Sequence, residues 1–192
     1  IGDAVSSEYY DYISGFIGEG QAASLLPNGN WVGSLTQFEP WGGYWFISTS
    51  VDDLCFEYEN SFVLPRQASK EKVKIPEAIS FTQSLKQSFY FIEDIENIEM
   101  GDWILSFNGD NVIGARQWQG SIIDVPAMGD DGSDYTKGYI EAGAIPQFKL
   151  LKDGELIDLV GDIPAFANNQ LYILSSLSEA IARPETFNLD RA

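Results

Sequence analysis

The chain has no histidine, a single cysteine, and eleven basic residues against twenty-nine acidic ones, for a formal net charge of −18. Without histidine the usual Ser-His-Asp and Cys-His nucleophile schemes are closed, as is the commonest ligand for zinc and copper. One cysteine allows no internal disulfide. Cys55 sits in the alternating run Leu54-Cys55-Phe56-Glu57-Tyr58 and reads as a small buried hydrophobe, because a reactive thiolate needs a basic neighbour. The acidic excess disfavours nucleic acid and anionic membrane surfaces, which would repel the chain. No apolar run approaches the roughly 20 residues that span a bilayer, and no signal peptide is visible. The chain opens at Ile1-Gly2-Asp3 without an initiator Met, so we expect a processed product or a fragment.

What is present is material for a core: 192 residues, 44% hydrophobic and 14% aromatic, a composition that disorder does not have. Short β-prone runs are split by Gly, Asn and Asp turns. Trp103–Phe107 and Asn111–Trp118 flank Asn108-Gly109-Asp110, a strong hairpin signal because Asn, Gly and Asp accept positive φ. Asn28-Gly29-Asn30 predicts a second hairpin, Gln21–Leu26 with Asn30–Leu35. Lys152-Asp153-Gly154-Glu155 predicts a third, between Gln147–Leu151 and Leu156–Val160. Gly15–Ser24, Tyr44–Ile47, Leu54–Tyr58, Gln87–Ile92 and Gln170–Leu174 complete the predicted strands. Helix is predicted over Ile1–Ile13, from apolar residues at three-to-four spacing, and as a turn at Ser175–Ala182.

These signals predict a mainly β chain of two antiparallel β-rich sub-domains, the second a β-sandwich or jelly roll. The first covers residues 1–64 and carries the N-terminal helix. A basic, proline-bracketed linker follows at 65–76 (PRQASKEKVKIP), then the sandwich at 77–182 and a tail at 183–192. The linker is either a solvated connection or a docking strip for an acidic neighbour.

One ordered set of residues resembles a known module. Gly101-Asp102-Trp103-Ile104, Phe107-Asn108-Gly109-Asp110, Ile113-Gly114-Ala115, Gly129-Asp130-Asp131, and Gly138-Tyr139 with Gly143, Pro146 and Phe148 are similar to a β-module repeated in large secreted proteins of marine and Bacteroidetes-like bacteria. The likeness spans about residues 83–177. Ile17-Gly18-Glu19-Gly20, Trp31–Leu35 and Gly43-Tyr44-Trp45 resemble the companion module that alternates with it. The companion opens with a strand before its helix, which this chain lacks; Thr186-Phe187-Asn188-Leu189 resembles the lead-in to such a strand. The resemblance implies an extracellular or cell-surface protein, either one unit of a tandem array or a module whose missing strand comes from another copy. In the second case Phe187 and Leu189 belong to an exchanged strand.

Two constellations are candidates for chemistry. The acidic stretch, predicted as a loop, offers Asp124, Asp130, Asp131 and Asp134, with Asp110 and Asp102 able to join from the hairpin. Carboxylates spaced by Gly and Ser can wrap Ca²⁺, which takes six to eight oxygens; the same residues can instead cap turns through their own backbone. The aromatic set Trp31, Trp41, Tyr44 and Trp45 suits a core or a subunit contact or, alternatively, stacking on sugar rings. Nothing announces a reaction. The sequence therefore predicts a non-enzymatic structural module joined to other copies in a filament, sheath or surface array, or alternatively a carbohydrate-binding adhesion module.

Overall fold

The computed structural model describes residues 1, 4–39, 41–49 and 74–180. The predicted strand at Leu54–Tyr58, Cys55, most of the basic linker and the tail with Phe187 and Leu189 lie outside the described residues. In chain order the first strands are β1 (Ile13–Ile17), β2 (Ala22–Leu25), β3 (Trp31–Val32), β4 (Trp45–Ser48), β5 (Gln87–Ile92) and β6 (Trp103–Asn108). They are followed by β7 (Asn111–Gln117), β8 (Ile123–Met128), β9 (Gln147–Lys152), β10 (Glu155–Val160), β11 (Leu171–Leu174) and β12 (Ser178–Glu179). The chain is mainly β, as predicted. Among the described residues the only helices are single 3-10 turns at Ser7–Tyr9 and Glu77–Ile79, and no helix is long and apolar enough to cross a membrane.

The strands form three sheets, ordered β3-β2-β1-β4, β11-β5-β8 and β12-β10-β9-β6-β7. The middle one organises the molecule. Every residue of β5 and of β8 is buried, because successive side chains leave on opposite faces and both faces are covered. Phe89 and Phe91 go to one side, against Ile17 and Ala22 of the first sheet. Tyr90 and Ile92 go to the other, against Ile104, Ile113, Phe148 and Leu150 of the third. That double burial explains the unbroken run QSFYFI. The far face of the third sheet is closed in turn by residues 75–81, where Ile75, Ile79 and Phe81 cover Leu105, Phe107 and Ala115.

Three local readings are corrected. Among the described residues of the predicted helix Ile1–Ile13 there is one 3-10 turn, Ser7–Tyr9, and Ile13 already opens β1. Its apolar spacing serves a different end, since Val5, Tyr9 and Tyr10 pack over Phe16 on the outer face of the first sheet. The described part of the predicted turn at Ser175–Ala182, residues 175–180, holds β12 and no helical turn. The stretch from Asp124 is a strand, β8, rather than the start of a loop. Pro126 is tolerated there because β8 is an edge of its sheet, and its carbonyl is used, accepting from Ser106 Oγ at 2.6 Å. β7 lies close enough at this point that a Cβ on Gly114 would sit 1.8 Å from Pro126 O. Only glycine fits.

The hairpins formed as predicted, with a difference in turn chemistry. At Asn108–Asn111 only Gly109 takes positive φ, at 60°, as a turn with Gly in the first central position requires. The Lys152–Glu155 turn has both central residues positive, Asp153 at 52° and Gly154 at 85°.

Candidate functional site

The structure divides the predicted acidic cluster. Asp124 leaves β8 on the face toward the first sheet and is wholly buried. Its Oδ1 accepts from Ser34 N at 2.6 Å; its Oδ2 accepts from Ser34 Oγ at 2.8 Å, Ala22 N at 3.0 Å and Arg116 Nη2 at 3.1 Å. Arg116, on β7, also donates Nε to Asp124 O and Nη2 to Gly20 O, both at 2.8 Å. One carboxylate thus joins β8 to the start of β2 and to the segment just after β3, and one guanidinium joins β7 to the turn before β2. Desolvation pushes the Asp124 carboxyl up from its ordinary value, against the pull of Arg116 and the Ser34 donors. Asp124 is therefore a fastening between sheets and not a member of the loop.

The remaining aspartates are on the surface. Asp131 Oδ1 accepts from Thr136 Oγ1 at 2.6 Å and Ser133 N at 3.0 Å; Oδ2 accepts from Leu85 N at 3.0 Å and Ser84 Oγ at 3.3 Å. Those donors, Thr136 first, hold its carboxyl well below the usual carboxylate range. Asp130 Oδ1 accepts from Gly132 N at 2.8 Å, closing a local turn. The hairpin tip does reach this loop, but through Asn108 and Asn111, whose amides donate to Gly138 O at 3.0 and 3.1 Å. Asp110 and Asp134 are exposed, and Asp102 Oδ2 is taken by Glu99 N at 2.9 Å. Among the described residues no three His, Cys, Asp or Glu side chains are gathered to hold a metal. A cation at Asp131 would have to displace donors that the fold already supplies.

The aromatic set is also dispersed. Trp31 stands on the outer face of the first sheet, 5.1 Å from the Phe16 ring and edge-on to Tyr10 at 5.8 Å. Trp45 pairs in register with Ile17, so it lies on the opposite face. Tyr44 is folded inward, 4.8 Å from the Phe38 ring, and its hydroxyl accepts from Glu39 N at 2.6 Å. Trp41 is fully exposed and holds a positive φ of 71°. These four cannot make one flat platform. Ser34 and Arg116, the partners that define the Asp124 seam, carry no sequence signal beyond a lone base within a strand.

No protein-family model, no curated protein and no solved structure matches this chain.

Proposed function

We propose that the chain is a non-enzymatic extracellular structural module that associates with further copies of itself, with Trp41 as an anchor of that contact. The carrying observation is the presentation of Trp41. A large apolar ring stands wholly in solvent, in a backbone region that costs a non-glycine residue energy. The turn beneath it is built: Gly42 N donates to Glu39 O at 3.1 Å, and the Tyr44 ring lies under Gly42 so closely that a Cβ there would clash. Rigid, exposed tryptophans are the residue type that dominates protein contacts. A non-enzymatic role is supported by the two carboxyls with the most marked environments. Asp124 and Asp131 are each saturated by donors of the fold, which leaves neither oriented toward a substrate proton.

Sedimentation velocity over a concentration series tests this reading. Wild-type chain is expected to form larger species as concentration rises, more so in added salt, which screens the −18 charge. Trp41→Ala should weaken association by about 2 kcal/mol, or ~30-fold. A single monomeric species at every concentration and salt level would contradict the proposal.

A further inference from the structure

We infer that the cleft beside the Asp124 seam is a binding site for a neutral oligosaccharide. The cleft has a volume of about 980 Å³ and runs between the loops of the first sheet and the strands β6 and β7 with the turn after them. That is the size of a pocket for a compact organic ligand. Its walls carry an unusual density of carboxamides: Gln21 and Gln37 on one side, Gln83, Gln117 and Gln119 on the other, with Trp103 beside them. A carboxamide both donates and accepts, which matches a sugar hydroxyl, itself donor and acceptor. Trp103 is half-buried, lines the cleft and pairs in register with Gln117, so an indole and an amide stand side by side, the pairing that suits a pyranose with an apolar face and hydroxyls.

The polar groups are held in place. Gln117 Nε2 donates to Gly101 O at 2.9 Å and Gln83 Nε2 to Gln87 Oε1 at 2.9 Å, which fixes where each amide oxygen points. Gln21 and Gln119 make no side-chain hydrogen bond to the described residues, so their donors and acceptors are open to a ligand. Arg116 spends Nε and Nη2 on Asp124 and Gly20; Nη1 has no partner among the described residues, and the side chain keeps 19% exposure. Asp124 neutralises that cation, so Nη1 offers hydrogen bonds without attracting anions. Glu19 and Glu39 at the rim and the net charge of −18 repel an acidic ligand. The ligand is therefore uncharged. Asp124 also ties Ser34 on one wall to Arg116 on the other, so the cleft is preorganised and little binding energy is lost to closing it.

The site stands apart from the Trp41 contact, because Trp41 does not line the cleft. The test titrates the full chain with cellohexaose, laminarihexaose and mannohexaose, with hexagalacturonate as the anionic control, by calorimetry and tryptophan fluorescence. At least one neutral hexaose should bind saturably and the galacturonate should not. Trp103→Ala should weaken binding about tenfold, the scale of one lost ring contact. Gln119→Ala, at an exposed position that leaves the fold intact, should weaken it severalfold, and Trp41→Ala should leave it unchanged. The inference is overturned if none of the three neutral hexaoses binds, if galacturonate binds as well as they do, or if binding survives Gln119→Ala undiminished.

Discussion

Asp124 and Asp131 come from one short acidic stretch, and each accepts four hydrogen bonds, yet they do opposite things. The donors to Asp124 come from far along the chain, Ala22 and Ser34, and from a cation on the neighbouring strand. The donors to Asp131 are local, Ser133 and Thr136, or belong to the segment entering β5, Ser84 and Leu85. The first is a fastening between sheets in a dry seam; the second organises one surface loop. Solvent decides the difference. Desolvation raises the Asp124 carboxyl, whereas hydrogen bonds given in water lower that of Asp131. Counting carboxylates in a sequence therefore says little about what each will do.

The contrast is sharpest under mutation. Asp124→Ala leaves the partly buried Arg116 without its counter-ion and the Ser34 and Ala22 donors without their acceptor, and we expect a loss of about 3 kcal/mol in urea denaturation. Pairing Asp124→Leu with Arg116→Met should recover much of that loss, because removing both charges removes the desolvation cost as well. Asp131→Asn should move the denaturation midpoint less, since water can replace its donors' partner.

The pH dependences should have opposite signs. The folded-state value of Asp131 lies below its unfolded value of about 3.9, so its stabilisation is complete above that pH and is lost as pH falls toward the folded value. The folded-state value of Asp124 lies above the unfolded one. Its contribution is complete below about pH 3.9 and is lost as pH rises through the folded value. Asp131→Asn should therefore flatten the acid limb of a stability profile, and Asp124→Asn should steepen it. The smallest expected effect is that of a chelator. EDTA should leave the melting temperature where it was, because the oxygens of Asp131 already face protein donors; a clear drop would show that calcium displaces them.

Much of the fold was legible. β5 falls where an unbroken β-prone run placed it, and β6, β7, β9 and β10 fall where β-prone runs and Asn-Gly or Asp-Gly turns placed them, since these signals are local. β8 was not legible, because Asp124 and Pro126 look like loop residues until the partly buried Arg116 and a sheet edge accommodate them. The parallel pairing of β11 with β5 joins segments far apart in the chain, and no local pattern announces it. The same holds for the candidate site. Asp124 and Trp41 were recognised as residues of interest, but their surroundings depend on which loops meet, and Ser34, Arg116 and the carboxamide cleft appear only when the first sheet is laid against β8.

Hydrogen exchange on Asp124→Asn tests most directly whether one carboxylate fastens the first sheet to the rest. Amides of β1 and β2 and that of Leu35, which donates to Ala22 O at 3.0 Å, should lose protection while those of β5, β6 and β9 keep theirs. Unchanged protection in β1 and β2, or an equal loss across all three sheets, would contradict it.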